Sequence, residues 1–390
     1  MKKKVIIIGA GPAGLSLACS LSGTNLQITL IERQTIESLS SPFYDGREIA
    51  LTHSSKKILE NLNVWKSIPA KTISPIKEAK VLDGNSSYIM HFDTSEVKKN
   101  VLGYLVSNHH IKKALYKITK TKKNITIIPN TDVTHIKQRN ESIQIRCSDN
   151  KKIEASLAIA ADSRFSEIRH KMNITASINN FKQTAIVCQM SHELNHENIA
   201  YECFFYGETL AVLPLINNTS SIVLTCSKEK SDTLMNLEKK DFSNFITSKF
   251  GNFLGSMKLV NQRFSYPLIG VYADRFVTNR FALIGDAAVG MHPVTAHGFN
   301  LGLRGQDILS ERIKFALKHK LDFGALSILK RYESQHRSIS RPLYLGTNAI
   351  IKLYTRESIL SKIARKAILR IGNNFIPVKK RIINSLTEIQ

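Results

Sequence analysis

The segment that most constrains how this chain folds is a glycine pattern close to its beginning, Gly9-Ala10-Gly11-Pro12-Ala13-Gly14. Residues 5–8 before it are all Val or Ile and predict a buried strand, whereas Pro12–Leu21 predicts a helix and residues 27–32 a second strand. Strand, glycine turn, helix and strand in this order are typical of the first βαβ unit of a doubly wound sheet. The sequence therefore predicts an α/β nucleotide-binding fold.

The glycine turn suits a dinucleotide, because each glycine removes a side chain where a phosphate or the backbone must come close. Gly9 permits the tight turn, Gly11 lets a pyrophosphate approach the main chain, and Gly14 lets the helix pack on the strand. The helix N-terminus adds partial positive charge. Glu32 ends the second strand, where a carboxylate accepts hydrogen bonds from ribose hydroxyls and disfavours a 2′-phosphate. FAD and NAD both fit this unit, and NADP does not.

A second segment, far along the chain, distinguishes FAD from NAD. Residues 280–284 predict a strand that ends in Gly285-Asp286, and Gly298-Phe299-Asn300 lies at the start of a helix predicted from about 296 to 317. Asp286 is suited to accept hydrogen bonds from ribityl hydroxyls. The backbone amides near Gly298 are suited to stabilise the negative charge of a reduced flavin. NAD has no group that needs these features. The predicted cofactor is therefore FAD.

The two cofactor segments and three further stretches resemble those of a known enzyme family. The stretches are Phe43-Tyr44-Asp45-Gly46-Arg47-Glu48-Ile49-Ala50-Leu51-Thr52, Gly103-Tyr104-Leu105-Val106 and Tyr266-Pro267-Leu268. Together they resemble the group A flavoprotein monooxygenases typified by para-hydroxybenzoate hydroxylase, and most closely the ubiquinone-biosynthesis hydroxylase branch. Two runs, 47–53 and 292–300, are similar to the subgroup named for 5-demethoxyubiquinol hydroxylation. The resemblance extends from residue 1 to about residue 345.

The resemblance implies a Rossmann-like FAD-binding domain interlaced with an antiparallel-sheet substrate domain, plus a helical C-terminal tail. Strand-like stretches are predicted at 124–128, 133–138, 142–147 and 153–160, a hairpin at 78–92, and a separate antiparallel sheet from about 184 to 227. The resulting division has FAD-binding parts at 1–75, 101–180 and 273–343, a substrate-domain hairpin at 76–100, an antiparallel substrate-binding sheet at 181–272 and basic amphipathic C-terminal helices at 344–390.

The mechanism implied by the resemblance is reduction of FAD, capture of O₂ as a flavin C4a-hydroperoxide and oxygen transfer to the phenolic ring of a polyprenylated ubiquinone precursor. A second GxGxxG is absent from the sequence, so either NADPH or NADH could serve as external reductant. Two alternatives stay open. One is a FAD hydroxylase or reductase acting on another aromatic or prenyl substrate. The other is a non-catalytic FAD-binding scaffold in a lipid-biosynthetic complex.

The candidate catalytic residues are two histidines, whose side chains titrate near neutrality, and a proline whose carbonyl is expected near the oxygen site by resemblance alone. They are His297, His53 and Pro293. Where the family usually has Asp-Gly, this chain has Asp162-Ser163-Arg164. The predicted cofactor-binding residues are Gly9, Gly11, Pro12, Ala13, Gly14, Glu32, Arg33, Arg47, Asp162, Gly285, Asp286, Pro293, Gly298, Phe299 and Asn300.

Composition bears on the compartment and on the partners. The five cysteines form no CxxC pair, so neither a disulfide framework nor a metal site is expected, and a cytoplasmic location fits best. A net charge of +24 comes without any nucleic-acid motif. Residues 359–371 place apolar side chains on one helical face and basic ones opposite, which favours either peripheral contact with the inner membrane or a ubiquinone-biosynthesis complex, or docking on the protein body. The ring position, the isoprenoid length and the oligomeric state stay open.

Overall fold

The computed structural model describes residues 3–84, 89–96, 99–205, 207–292, 297–355 and 387–388. Its strands are β1 (Lys4–Ile8), β2 (Gln27–Ile31), β3 (Glu48–Leu51), β4 (Ile73–Ile76), β5 (Glu78–Asp83), β6 (Ile89–Phe92), β7 (Gly103–Ser107), β8 (Ile125–Ile128), β9 (Val133–Gln138), β10 (Ile143–Cys147), β11 (Lys152–Ala155), β12 (Leu157–Ala160), β13 (Ala176–His192), β14 (Ile199–Phe205), β15 (Glu208–Pro214), β16 (Thr219–Ser227), β17 (Met257–Leu259), β18 (Phe264–Ala273), β19 (Val277–Thr278), β20 (Phe281–Leu283) and β21 (Val289–Gly290). Its helices are α1 (Pro12–Leu21), α2 (Ile36–Ser40), α3 (His53–Asn61), α4 (Asn108–Lys120), α5 (Glu167–Lys171), α6 (Lys228–Asn236), α7 (Lys239–Phe250), α8 (His297–Lys318) and α9 (Leu326–Thr355).

The first layer is a sheet with the strand order β19-β20-β12-β1-β2-β8, which we call the parallel sheet. From β20 to β8 every neighbouring pair is parallel. In β1 the residues from Val5 to Ile8 are all buried, as expected for a central strand with both faces covered. Because parallel strands end at one edge, the turn after β1 and the turn after β20 lie at the same edge. The predicted α/β fold and its first βαβ unit are confirmed.

The second layer is a sheet with the order β21-β18-β13-β16-β15-β14-β5-β6 and β17 beside β13, which we call the large sheet. Its pairs are antiparallel apart from β14 and β5, which run parallel, so the predicted antiparallel sheet has one parallel pair. One face packs on α6 and α7 through residues such as Ile186, Leu224 and Phe242. We call the opposite face the inner face. It meets the first part of the chain where Gln189 donates a hydrogen bond to Glu48 of β3.

Two smaller sheets connect these layers, with the orders β3-β7-β4 and β11-β10-β9. The single strand-like stretch predicted at 153–160 is wrong, because it forms two strands in different sheets. β11 pairs with β10, whereas β12 pairs with β1 and β20. Ser156 lies between them and donates its backbone N–H to the Lys4 carbonyl. Alternation of apolar residues continues across this break, so periodicity alone could not reveal it.

The C-terminal part begins with two long helices that lie on the parallel-sheet domain. Helix α8 contacts α1 and α9. Helix α9 continues past residue 343 and contains Pro342, so the predicted boundary between domain and tail falls inside a helix. Within the described ranges no helix is long and apolar enough to cross a membrane. The predicted amphipathic face at 359–371 lies outside the described residues. Glu388, further along, is described and accepts a hydrogen bond from the Thr52 hydroxyl at 2.9 Å.

Candidate active site

The glycine turn after β1 has the geometry that its spacing predicts. Gly9 has a φ of +103°, and its N–H donates to the Ile31 carbonyl at 2.8 Å. A Cβ on Gly14 would lie 2.0 Å from the Gly9 carbonyl oxygen, so only glycine allows α1 to come this close to the turn. A Cβ on Gly11 would meet no protein atom within 4 Å. The backbone at Gly11 therefore faces open space at the N-terminus of α1, where a phosphate would be held.

Glu32 supports the glycine turn from the next strand. Its side chain is buried, and one carboxylate oxygen accepts the N–H of Ala10 at 2.6 Å while the other accepts that of Gln34 at 2.9 Å. A carboxylate has about four acceptor positions, so two remain for ribose hydroxyls. The neighbouring Arg33 is exposed. The ribose contact stays a prediction, and the structure adds a second role in holding the turn.

The Gly285-Asp286 turn lies directly against the first glycine turn. Gly285 follows β20 with a φ of +59°, and a Cβ built on it would be 2.9 Å from the Cβ of Ala13. A Cβ on Gly302 of α8 would lie 3.5 Å from the Gly285 Cα, so α8 also contacts this turn. A Cβ on Gly298, in the first turn of α8, would meet no atom within 4 Å. The two turns and the start of α8 thus form one continuous cradle for an extended dinucleotide.

Arg164 fixes the carboxylate of the second turn, a role that the sequence did not reveal. Its guanidinium lies 3.0 Å from the Asp286 carboxylate and donates to the carbonyls of Ile269 and Met291 at 2.7 and 3.3 Å. It also packs against Gly290, where a Cβ would be 2.6 Å from the Arg164 Nε. One oxygen of Asp286 is therefore already occupied, and the contact with ribityl hydroxyls falls to its remaining acceptor positions.

Asp162 lies beside the glycine turn, but its carboxylate points into the following loop. It accepts the Ser166 hydroxyl at 2.6 Å and the Ile168 N–H at 3.3 Å, and burial raises its pKa. Its Cα is 3.0 Å from the position of a Cβ on Gly9. Ser163, where the family usually has glycine, has a φ of +127°. This loop thus shapes the turn through its backbone, while the predicted cofactor contact of Asp162 remains a prediction.

Arg47 lies where the first part of the chain meets the large sheet. Its guanidinium pairs with Asp45 at 2.6 Å and lies over the ring of Tyr266, 5.5 Å from the centroid. The Tyr266 hydroxyl donates to the Asp45 carbonyl at 2.6 Å, which links the segment to β18. Burial by itself would lower the Arg47 pKa. The hydrogen bonds and the negative charge of Asp45 outweigh this effect, so the Arg47 pKa is raised. Half of the Arg47 side chain remains exposed, so it can also reach a cofactor.

The comparison with known proteins decides the family. Residues 2–343 match the family described as FAD binding domain. The chain belongs to this family. It is also 43% identical over 387 residues to Ubiquinone hydroxylase UbiM of Neisseria meningitidis, covering 98% of this chain and 84% of that protein. Ubiquinone hydroxylase UbiL of Rhodospirillum rubrum is 31% identical over 376 residues, with coverages of 96% and 87%.

Solved structures show the same fold for this FAD-binding protein. The p-nitrophenol 4-monooxygenase PnpA from Pseudomonas putida superposes with a TM-score of 0.78 at 15% identity, covering 99% of each chain. Klebsiella pneumoniae HpxO complexed with FAD and uric acid has a TM-score of 0.73 at 16% identity, with coverages of 98% and 97%. The predicted flavoprotein monooxygenase fold is confirmed, and FAD is the cofactor. The open backbone at Gly11 and Gly298 fits this group.

The remaining predicted residues surround the start of α8. The Asn300 side chain accepts the Thr52 N–H at 3.2 Å and donates to the Ala50 carbonyl at 2.8 Å, so it ties the flavoprotein's α8 to β3. Phe299 is partly buried against the core, and His297 is 5% exposed. Pro293 lies outside the described residues. Sequence reasoning assigned Asn300 to the cofactor through the nearby amides and missed this link to β3.

The His53 side chain contacts Val101 and Tyr104. Its Nε2 lies 2.9 Å from the Val101 carbonyl, and its ring packs edge-on against Tyr104 with 5.8 Å between centroids. Burial, together with the nearby Lys99 and Lys56, lowers its pKa, although the Val101 bond opposes this. His53 is therefore neutral at pH 7 and already engaged with the backbone. Its predicted role in holding a phenol stays a prediction. The contact of Nε2 with the Val101 carbonyl argues against that role, because it occupies one ring nitrogen.

Proposed function

We propose that this flavoprotein hydroxylates the aromatic ring of a polyprenylated ubiquinone precursor, with O₂ as the second substrate. The relatives named ubiquinone hydroxylases align over nearly the whole chain, at 43% and 31% identity. The structural observation that carries the proposal is the contact between Ala13 and Gly285, because it makes one cradle of the two glycine turns. FAD supplies the activation of oxygen when it is bound there.

The residues of the chain bind and orient rather than react. The N-terminus of α1 and the Gly11 backbone would hold the pyrophosphate, and Glu32 the ribose. Arg164 keeps the Asp286 carboxylate in place for the ribityl chain. The backbone N–H groups near Gly298 at the start of α8 would stabilise negative charge on a bound flavin through the helix N-terminus. No side chain is needed as a nucleophile.

The phenolic ring is expected between the start of α8 and the inner face of the large sheet. The inner face carries two apolar clusters, one around Met90, Phe92 and Leu105 and the other around Ala185 and Val187. Such a surface would exclude water from the space beside the bound cofactor, where oxygen is activated. A ring held between two rigid layers is also oriented for attack. The isoprenoid chain would leave along the apolar surface.

We also propose that the protein is cytoplasmic and associates peripherally with the inner membrane. The support is the basic amphipathic pattern at 359–371 and the lipid character of a polyprenylated substrate. Cell fractionation of the full chain and of a variant with four of the basic residues in this segment changed to glutamine tests it. Loss of membrane association in the variant is expected. An unchanged distribution between the two proteins would contradict it.

The function itself is tested with purified protein and with cells. The purified chain should show flavin absorbance, and its gene should restore ubiquinone in a strain that lacks the ring hydroxylase. In vitro, NADH and NADPH are compared as reductants, and hydroxylated product is measured per electron consumed. If the purified protein reduces its flavin but its gene does not restore ubiquinone in the cells, another aromatic or prenyl substrate is favoured. Bound flavin with no turnover would favour the scaffold alternative.

A further inference from the structure

The strand register places one carboxylic acid in the middle of the inner face. Across neighbouring strands it aligns one row of side chains, Met90, Val81, Glu202, Ala211, Val223 and Val187. Residues on either side of Glu202 in β14, such as Cys203, point to the opposite face and pack with α6 and α7. Because successive residues of a strand alternate between faces, Glu202 must point toward the flavin domain.

The row has an apolar cluster at each end, with Glu202 and the small side chain of Ala211 between them. Met90 and Val81 belong to one apolar cluster, which reaches β7 through Leu105. Val223 and Val187 belong to a separate cluster with Tyr266 and Leu268. Glu202 and Ala211 lie between the two clusters and belong to neither. Glu202 therefore interrupts the apolar surface of the inner face between the two clusters.

Glu202 combines partial accessibility with a close protein environment. Its side chain keeps some accessible surface, yet protein atoms surround it closely enough that burial raises its pKa to about 8, with a hydrogen bond to Thr209 opposing the rise. Within the described residues no Lys or Arg forms an ion pair with it. A carboxyl in such surroundings stays protonated at neutral pH and can both donate and accept a hydrogen bond.

The charge of the surrounding face limits the kind of ring that fits there. None of the described inner-face residues of β5, β6, β14, β15 and β16 is Lys or Arg. An anionic ring bound against Glu202 would lose its hydration without gaining a cation from these strands, because Arg47 lies over Tyr266 of β18 and is paired with Asp45. A neutral ring with hydroxyl, methoxy or carbonyl oxygens would lose little, and a protonated carboxyl would satisfy one of those oxygens. The face thus favours neutral phenols and quinols.

We propose that Glu202 is a substrate-contacting residue that binds an oxygen substituent of the neutral ring and orients the ring between the flavin and the large sheet. This inference rests on the proposed function and names a residue that would contact the substrate. A purely structural role is disfavoured, because an apolar side chain at this position would join the two clusters and cost no desolvation. The carboxyl is instead a polar group retained in an otherwise apolar wall.

The test uses the FAD-loaded full chain, with methoxyhydroquinone as a neutral probe and 4-hydroxybenzoate as an anionic one. The probes are titrated anaerobically against oxidised flavin, and the flavin difference spectrum gives Kd. The variants are Glu202→Leu and Glu202→Gln. The matched control is Glu208→Gln, since Glu208 lies on the same sheet but pairs with Lys249 and Lys230 on the opposite face. Flavin content and Tm are recorded for each variant.

The expected result is a Kd for methoxyhydroquinone about 10-fold or more weaker in Glu202→Leu, because one oxygen of the bound ring loses its partner. Glu202→Gln keeps a donor and should weaken binding only about threefold. Wild-type binding should change above about pH 8, because the ionised carboxyl can accept but no longer donate a hydrogen bond, whereas binding to Glu202→Gln should not depend on pH there. The Glu208→Gln control should bind the probe like the wild type.

Equal Kd values for Glu202→Leu and wild type, in proteins with the same flavin content, would overturn the inference. So would a pH dependence that persists in Glu202→Gln, or tighter binding of 4-hydroxybenzoate than of the neutral probe. The proposed function can fail separately. If ubiquinone is not restored in cells while the Glu202 variants still lose probe binding, the contact stands and the substrate is another neutral phenol.

Discussion

Alanine at two glycines of the same turn should have opposite consequences. At Gly11 the backbone has φ −71° and ψ 179°, which alanine adopts without strain, and its Cβ would meet no protein atom within 4 Å. The stability of the apoprotein should therefore change by less than about 1 kcal/mol. The methyl group would instead occupy the space of the pyrophosphate. If the displaced pyrophosphate loses one charge-assisted hydrogen bond, the binding free energy of FAD falls by about 3 kcal/mol. This corresponds to a Kd for FAD that is weaker by roughly 100-fold.

At Gly14 the same substitution should damage the fold. Its Cβ would lie 2.0 Å from the Gly9 carbonyl oxygen. Helix α1 would have to move away from the turn by more than about 1 Å to relieve this overlap. Overpacking of this kind costs about 1 to 3 kcal/mol and outweighs the better helix propensity of alanine. Thermal unfolding of both apoproteins and FAD titration by fluorescence quenching check the pair. Tight FAD binding by Gly11→Ala, or equal loss of stability in the two variants, would refute the reasoning.

Three further changes follow from the contacts around the cradle. Arg164→Met removes the cation from Asp286 and should lower the free energy of unfolding by about 2 to 3 kcal/mol in a denaturant titration, with Arg164→Lys in between. Glu32→Ala removes the acceptor of the Ala10 N–H and should weaken FAD binding about 10-fold or more by fluorescence titration; an unchanged Kd would contradict this. Burial lowers the pKa of His336 to about 4. Between pH 6.5 and 4 the unfolded chain therefore binds a proton that the native chain does not, and the native state loses stability as the pH is lowered. His336→Phe should reduce this loss by up to about 3 kcal/mol at pH 4, measured as unfolding free energy against pH.

The local pattern of the sequence was sufficient for the elements of the cofactor cradle. The predicted helix Pro12–Leu21 coincides with α1, and the predicted strand at 27–32 coincides with β2 apart from its last residue. The turn residues Gly9 and Gly14 were predictable because the sterics of a tight turn and of close helix packing act over a few residues. Asp286 was recognisable for the same reason, since it follows a strand and a glycine directly.

Only the tertiary structure decided which distant residues complete the site. The break at Ser156, the clamp of Arg164 on Asp286 and the link from Asn300 to β3 all join residues far apart in the chain. Glu202 had no sequence signal at all, because an acid in a strand usually faces water. Its position between the two apolar clusters of the inner face depends on the pairing of β14 with β5 and β15. The pairing with β5, a strand far away in the chain, places that acid in the interior of the large sheet and on its inner face.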